Sequence, residues 1–273
     1  MTVSTLWFPI LEMTNSKNYL EGLEIVTPDT QYRLHTLGCS KICFDKVFES
    51  LTQLKYLDLK IHSKFPSRFF SAFKTCKLEE FAVCFKEPME SYEDIVEELT
   101  KGLACSYDSL KYFGFMVQTR FTKSWFPPEI FTLLGELISK LTSLKDLRLW
   151  SDSMTCSRMQ LMFERLTHMN YLKNLSLNLK IAGTHITEVQ AFSNFAGQQT
   201  RLQTLTIVYV PNNVQTETFE AVTNGIKQCT ELRELDFQVG SCEHARVNSF
   251  NVMLPWLQKL EKLSIDAYRF FER

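Results

Sequence analysis

A single pattern of apolar residues recurs along almost the whole chain: a leucine is followed three and five residues later by further apolar side chains. Successive starting leucines are separated by 34, 24, 32, 34, 28, 30, 30 and 28 residues, and the spacing inside the pattern never changes. A period of this length is typical of proteins built from stacked supersecondary units. The nine matches are Leu20-Leu23-Ile25, Leu54-Leu57-Leu59, Leu78-Phe81-Val83, Leu110-Phe113-Phe115, Leu144-Leu147-Leu149, Leu172-Leu175-Leu177, Leu202-Leu205-Ile207, Leu232-Leu235-Phe237 and Leu260-Leu263-Ile265.

The residues before each match follow a helical period. Counting back from Leu144, apolar residues stand at Leu141, Leu137 and Leu134, and closely similar offsets precede Leu172, Leu232 and Leu260. Offsets of three, six or seven, and ten place side chains on one face of a helix. The alternation after each starting leucine is typical of a strand. Each unit is therefore predicted to be a helix, a short turn, a strand and a returning loop, and stacking buries a continuous core.

Several helix starts are marked by their residue types. Proline precedes Glu129, Ser91 precedes a pair of acids, and the pairs Thr187-Glu188 and Thr216-Glu217 open two further helices. We expect one domain over residues 1–273, a right-handed α/β solenoid of about nine repeats. Parallel strands would line its concave face and helices its convex face. A doubly wound α/β domain is less favoured, because it would show irregular spacing and a glycine-rich loop after the first strand.

From about Phe8 to Tyr268 the chain resembles the leucine-rich repeat family, and its long helical repeats resemble the ribonuclease-inhibitor-like subclass. Their style is also similar to that of the divergent repeats of protist proteins. One position departs from the family, which often places Asn or Cys three residues after the third apolar residue. The asparagine ladder that joins neighbouring turns is therefore expected to be absent or replaced. That position here holds His62, Lys86, Gln118, Asp152, Lys180, Val210 and Gly240.

Two segments fit the repeat less well. Residues 26–43 contain Leu34, Leu37 and Cys39 in the same spacing, which predicts either an extra degenerate strand or an inserted loop before a helix over 44–51. The segment FTKSWF at 121–126 predicts a longer loop than its counterparts.

Composition excludes several classes of protein. The chain carries 30 Lys+Arg against 31 Asp+Glu, a net charge of −1, whereas nucleic-acid-binding proteins usually show a basic excess. No stretch approaches the roughly 20 apolar residues needed to cross a bilayer, and the first residues make a poor secretory signal. The eight cysteines form no dense framework. We expect a cytoplasmic protein with reduced thiols that does not insert into membranes; association with a cytoskeletal or organelle assembly is left open.

The residues between the apolar positions of each strand should point away from the helices. Aromatic, Met and Arg side chains gather there in the middle repeats, and these types are enriched at the centres of protein interfaces. We expect a protein-binding face near Trp150, where truncating Trp150 or Arg148 would cost about 2 kcal/mol or more of affinity. An ordinary solvated face is the alternative. The predicted binding residues are Tyr56, Asp58, Tyr112, Met116, Asp146, Arg148, Trp150, Glu234 and Asp236.

No residue set predicts catalysis, a cofactor or a metal. His35, Cys39 and Cys43 are spaced by four but provide three ligands where structural zinc usually takes four. In the second loose group, Cys229, Cys242 and His244, burial explains Cys229 better because it occupies a core offset of its helix. Neither a phosphate-binding glycine loop nor a nucleophile–base arrangement can be assembled from the spacing.

These observations favour a non-catalytic interaction scaffold, a structural or accessory subunit of a larger intracellular complex that binds other proteins through the strand face and the ends of the solenoid. At the last strand, Tyr268, Phe270 and Phe271 would form a minimal cap, or a partner would cover the edge. The alternative is a regulatory adaptor, either a ubiquitin-ligase substrate receptor or a GTPase-activating repeat protein. The second adaptor would need an arginine that enters a nucleotide site, for which the sequence offers Arg120, Arg158 and Arg246.

Overall fold

The chain divides into two compact units. The first comprises Met1–Thr122 with Leu141–Ser143, and the second comprises Lys123–Lys140 with Leu144–Arg273. The prediction of one domain over residues 1–273 stays a prediction. The computed structural model describes residues 19–20, 23–27, 30–34, 37–38, 54–61, 67–85, 91–117, 128–151, 156–179, 186–209, 216–239 and 244–267.

The first unit is built around a sheet whose described strands follow the order β3-β2-β5-β6-β7. Strands β5, β6 and β7 are parallel, and a separate two-residue pairing joins β1 to β4. Helical segments connect the parallel strands, as the repeat predicts. The elements are β1 (Tyr19–Leu20), β2 (Leu23–Thr27), β3 (Thr30–Leu34), β4 (Leu37–Gly38), β5 (Tyr56–Ile61), a 3₁₀ helix (Ser67–Phe73), β6 (Glu80–Phe85), α1 (Tyr92–Gly102), a short 3₁₀ helix (Ala104–Ser106) and β7 (Tyr112–Val117).

The second unit repeats one arrangement, a helix followed by a parallel strand, five times. Its strands run in the order β8-β9-β10-β11-β12, and the leucine of each strand lies beside the leucine of the next. Residues at the same position of successive repeats are therefore direct neighbours in this sheet. The elements are α2 (Pro128–Ser139), β8 (Asp146–Ser151), α3 (Cys156–Leu166), β9 (Asn174–Leu179), α4 (Ile186–Gln198), β10 (Thr204–Tyr209), α5 (Thr216–Ile226), β11 (Glu234–Val239), α6 (His244–Met253), a short 3₁₀ helix (Leu254–Trp256) and β12 (Lys262–Ala267).

Alternation of helices with parallel strands confirms the α/β class and is consistent with a solenoid. The apolar positions of the pattern face the helices, and the side chains of Leu57, Leu147 and Leu205 are each at most 2% exposed. Phenylalanine side chains pack between neighbouring repeats. The rings of Phe81 and Phe113, for example, stack with their centroids 6.0 Å apart. In the described part of the chain, no helix is both long enough and apolar enough to span a membrane.

The first match of the pattern differs from the other eight. Strand β2 carries Leu23 and Ile25, and it pairs antiparallel with both β3 and β5. The prediction of a parallel strand is therefore wrong for this segment. Alternation of apolar residues fixes which face of a strand is buried but says nothing about its direction, and the two residues separating β2 from β3 suit only an antiparallel hairpin. Strands β3 and β4 account for part of the irregular segment 26–43, whereas the helix predicted over 44–51 and the loop 121–126 lie outside the described residues.

The predicted helix starts are confirmed at α1, α2 and α5. The Ser91 side chain accepts a hydrogen bond from the backbone N–H of Asp94 at 3.2 Å, which caps α1. Helix α2 begins at Pro128 and α5 at Thr216. The Ser91 cap of α1 and the fixed proline φ at the start of α2 lower the cost of the first turn.

Buried polar side chains join successive repeats near the beginnings of the strands. Ser106 accepts a hydrogen bond from the Leu78 N–H at 2.9 Å and donates one to the Cys76 carbonyl at 3.0 Å. The Gln199 amide donates to the Met169 carbonyl of the preceding repeat. These contacts satisfy backbone groups that packing would otherwise leave unpaired. The seven positions at the opposite strand ends, where the family often has Asn or Cys, all lie outside the described residues.

Candidate functional site

The candidate site is the outer face of the strands, which is the face directed away from the helices. In the second unit β8 has the alternation that the sequence predicts, whereas Asn178 on β9 and Val208 on β10 are buried although they occupy outward positions. Along β8, Leu147 and Leu149 are buried against the helices, whereas Arg148 is exposed and Asp146 and Trp150 are half-buried. Since successive side chains of a strand point to opposite faces, Asp146, Arg148 and Trp150 share the outer face of β8.

Rows of outer-face residues run across the second unit from strand to strand. One row contains Arg148, Ser176, Thr206, Asp236 and Ser264 in direct register. Neighbouring strands lie about 4.8 Å apart, so three strand steps separate Arg148 from Asp236 by about 14 Å. The structure therefore brings Arg148 and Trp150 together on β8, and Glu234 and Asp236 together on β11, but it does not join these two pairs.

The acidic residues of this face have different surroundings. The Asn174 amide donates a hydrogen bond to the Asp146 carboxylate across the β8–β9 step, and Lys262 lies 3.7 Å from the Glu234 carboxylate across the β11–β12 step. Both contacts are exposed, so each contributes little free energy. In the part of the chain that the structure describes, Asp236 has no ion-pair partner within 4.0 Å. Its half-buried carboxylate is thus the acidic group of this face best placed to receive a cation from another molecule.

The outer face of the first unit is less exposed along β6 and β7. Ala82 and Cys84 on β6 are buried, at 6% and 3% exposure, although they occupy outward positions. The hydroxyl of Tyr112 lies 3.0 Å from the place where a Cβ of Gly114 would be. The Tyr112 ring therefore lies across its own strand, over Gly114, instead of projecting outward.

The other predicted residues of the first unit are also only half exposed. Tyr56 and Asp58 lie on β5, and Tyr112 and Met116 on β7, with β6 between them. Tyr56, Glu80 and Tyr112 share a row, whereas Asp58 shares a row with Ala82 and Gly114. The structure places these residues on one face but separates β5 from β7 by about 10 Å, which is two strand steps.

The sequence analysis missed a charged groove at the beginnings of the first unit's parallel strands. The groove has a volume of about 430 Å³. At its centre the Glu79 carboxylate accepts hydrogen bonds from the ammonium groups of Lys55 and Lys111, both at 2.6 Å. These two hydrogen bonds, Lys111 first, lower the pKa of Glu79 to about 2. The lining residues are Leu54, Lys55, Lys77, Glu79, Asp108, Ser109, Lys111 and Ser143.

The polar groups that line this groove already contact one another. Lys77 lies 3.7 Å from the Asp108 carboxylate, Ser109 donates to the Leu78 carbonyl at 2.7 Å, and Ser143 donates to the Asp108 carbonyl at 2.6 Å. The groove therefore serves to join three repeats and offers a ligand few free donors. The sequence does contain a signal for this groove. The position directly after the starting leucine holds Lys55, Glu79 and Lys111 in three successive repeats.

The cysteines of the described residues carry no disulfide. Cys76, Cys84 and Cys229 are buried and Cys105 is exposed. Burial raises the pKa of the Cys229 thiol to about 12, and its sulfur lies 3.3 Å from the Ala196 carbonyl oxygen. Cys229 thus packs as a protonated core residue, as its helical offset predicts.

Among the described residues, no three His, Cys, Asp or Glu side chains are grouped as metal ligands would be. The remaining residues of the two loose groups, His35, Cys39 and Cys43 and then Cys242 and His244, have side chains outside the described part of the chain. The same holds for the arginines considered for a nucleotide site, Arg120, Arg158 and Arg246.

Comparison with known protein families finds none whose sequence pattern matches this chain, and comparison with curated proteins likewise finds no match.

Proposed function

We propose that this protein is a leucine-rich repeat solenoid that acts as a non-catalytic interaction scaffold, a structural or accessory subunit of a larger complex. It binds other proteins through the outer face of its strands and through the ends of the repeat array. The main support for the proposal is the alternation of buried and accessible side chains along β8. Leu147 and Leu149 are buried, whereas Arg148 and Trp150 lie on the accessible face.

The chemistry of this face supports protein as the ligand. The hydroxyl groups of Ser176 and Thr206 continue the row of Arg148 across the next two strands. Such a surface offers many weak polar contacts around a few large side chains, which is how interfaces concentrate their binding energy. Trp150 supplies apolar area with a ring N–H donor, and Arg148 supplies a fork of donors for a carboxylate.

The cysteines support a reducing compartment for this scaffold. None of the four described cysteines is in a disulfide, and three of them are buried in the core. Buried cysteines without disulfides are typical of proteins of the cytosol, where disulfides are rare. We therefore place the proposed complex in the cytoplasm.

Affinity purification of three versions of the full chain tests the proposal. The wild type, the Arg148→Ala/Trp150→Ala variant and a Leu161→Ala control are each used to recover partners from the native source. Leu161 is a matched control because it is a large apolar residue, 46% exposed, on α3 of the same unit, in the helix layer. The set of recovered proteins is compared by quantitative mass spectrometry.

We expect the control to recover the wild-type partners and the double variant to lose at least one of them. With that partner purified, each single truncation should weaken binding by about 2 kcal/mol, roughly thirtyfold. Equal recovery by all three versions would show that this face does not carry the function.

A further inference from the structure

The last described strand exposes apolar side chains whose counterparts in other repeats are buried. On β12, Leu263 is 42% exposed and Ile265 is 39% exposed. On the neighbouring β11, the residues at the same positions, Leu235 and Phe237, are 1% and 0% exposed. The difference arises because β12 has a described strand on one side only.

The last helical segments also carry large apolar side chains at positions that face solvent. Val252 on α6 is 60% exposed, and Trp256 on the following 3₁₀ helix is 59% exposed. The equivalent positions of the two preceding repeats are exposed as well but hold polar residues, Asn194, Gln198, Asn224 and Gln228. The ammonium group of Lys227 lies 5.9 Å from the centroid of the Trp256 ring, which covers part of the ring but leaves most of the side chain in contact with water. Large apolar groups exposed on both layers at one end of a unit are typical of a contact surface.

The backbone of β12 has a described pairing partner on one side only. Among the described strands, β12 pairs with β11 alone. Its outer edge therefore presents N–H and C=O groups to which another strand can add, an arrangement that natural proteins usually cover or block. A strand added there would gain backbone hydrogen bonds and would also cover Leu263 and Ile265.

We propose that the outer edge of β12 pairs with the same edge of a second copy of this chain, antiparallel, about a two-fold axis at Ser264. The sequence around Ser264 is self-complementary, because Lys262 and Asp266 stand two residues to either side of it. Antiparallel pairing centred on Ser264 sets Lys262 of each copy opposite Asp266 of the other. It also sets Leu263 opposite Ile265, so that apolar residues meet apolar residues.

This pairing selects one register. A shift by two residues in either direction sets Lys262 or Asp266 opposite Ser264 and breaks both charge pairs, while leaving one apolar residue opposite itself. Opposite charges on directly facing residues favour a pairing, and two-fold symmetry counts each favourable pair twice.

A two-fold axis perpendicular to the sheet also keeps the helices of both copies on one side, so that the two-layer arrangement continues across the contact. The contact is isologous and closes on itself, which yields a dimer and not an open filament.

This inference rests on the proposed function and deepens it, because it names a second copy as the partner at this end of the repeat array. It uses neither Arg148 nor Trp150. A protein that dimerises but recovers no partner through the outer face would refute the function alone, and a monomer that recovers such a partner would refute the dimer alone.

Sedimentation of the full chain, over about a hundredfold range of concentration, tests the dimer. We expect the wild type to pass from the mass of one chain to that of two. Asp266→Lys sets lysine opposite Lys262, and Lys262→Asp sets aspartate opposite Asp266, so each variant alone should dissociate at least tenfold more readily. The Arg148→Ala/Trp150→Ala variant is the control and should dimerise like the wild type.

Mixing the two charge variants gives the sharpest outcome. In a mixed pair, the new Lys at 266 faces the new Asp at 262, and the original Lys262 faces the original Asp266, so both contacts are attractive again. An equimolar mixture should dimerise at concentrations at which each variant alone is mostly monomeric. A wild type that stays monomeric, single variants that dimerise unchanged, or a mixture that stays monomeric would each overturn the proposal.

Discussion

Two glycines near the ends of successive helices should respond in opposite ways to the same substitution. Gly197 and Gly225 are the penultimate residues of α4 and α5. Neither has φ in the left-handed region, so alanine can adopt the backbone conformation at both positions. Gly225 stands seven residues before the starting leucine of its repeat and Gly197 five, so the two lie on different sides of their helices. The different surroundings make the pair a measure of how closely the helices of neighbouring repeats approach.

At Gly225 an added Cβ would lie 2.7 Å from both Cα and the carbonyl oxygen of Ser193 on α4. Because both atoms belong to the backbone, the clash is relieved only if α4 and α5 move apart. At Gly197 the nearest atom would be Cγ of Gln228 at 3.5 Å, an ordinary van der Waals contact. The second position therefore accepts a methyl group without any movement.

The magnitudes follow from these distances. Replacing glycine by alanine within a helix stabilises it by up to about 1 kcal/mol, and this gain applies to both variants. Overpacking a core costs about 1–3 kcal/mol, and this cost applies to Gly225→Ala alone. The gain in helix propensity cancels in the comparison, so Gly225→Ala should be less stable than Gly197→Ala by about 1–3 kcal/mol.

Equilibrium unfolding in urea, followed by far-ultraviolet circular dichroism, measures this difference. The two variants should have midpoints on opposite sides of the wild type, with the same slope against denaturant. If Gly225→Ala proves as stable as Gly197→Ala, then α4 and α5 do not approach as closely as the structure shows, and the inferred packing of successive repeats is wrong.

Three further predictions concern single residues. The pKa of Glu79 is about 2 in the folded protein against an ordinary 4.5. Its contribution to stability is therefore complete above pH 4.5 and falls as the pH is lowered towards 2. In Glu79→Gln the free energy of unfolding should depend less steeply on pH in that window. Ser106→Ala leaves two buried backbone groups of the preceding turn unpaired and should destabilise the protein by about 1–3 kcal/mol in urea titration, whereas an unchanged midpoint would argue against the bridge. A maleimide at neutral pH should label Cys105 and spare Cys229 until the protein unfolds, and peptide mapping that finds early labelling of Cys229 would contradict its burial.

The sequence predicted the strands of the repeat because burial of one face demands alternation, and alternation is visible in residues such as Leu147 and Leu149. It could not predict the direction of β2, since the same alternation suits parallel and antiparallel pairing. It also missed Gln199, a polar residue at an offset that is apolar in most other repeats. The Gln199 side chain is buried, and its amide nitrogen donates to the Met169 carbonyl of the preceding repeat and to the Phe195 carbonyl of its own helix.

Candidate binding residues were less predictable than the fold. Strand alternation correctly placed Arg148 on the accessible face, but it also counted Tyr112 as projecting outward. The position of that ring depends on Gly114, which leaves room for it to lie against the sheet. The exposure of Leu263 likewise depends on which strands flank β12, and a pattern that repeats along the chain does not distinguish an end from a middle.

The measurement that tests the repeat architecture most directly is the distance between spin labels at equivalent positions of the second unit. Glu136, Glu164, Asn194 and Asn224 each stand eight residues before a starting leucine, on α2, α3, α4 and α5. Packed helices lie about 8–10 Å apart, so labels at 164 and 224 should be separated by about 16–20 Å and labels at 136 and 224 by about 24–30 Å. Double electron–electron resonance on cysteine variants at these positions gives both distances. A steady increase from two helix steps to three is the predicted result, and a separation of 136 from 224 no longer than that of 164 from 224 would contradict the stacking of repeats.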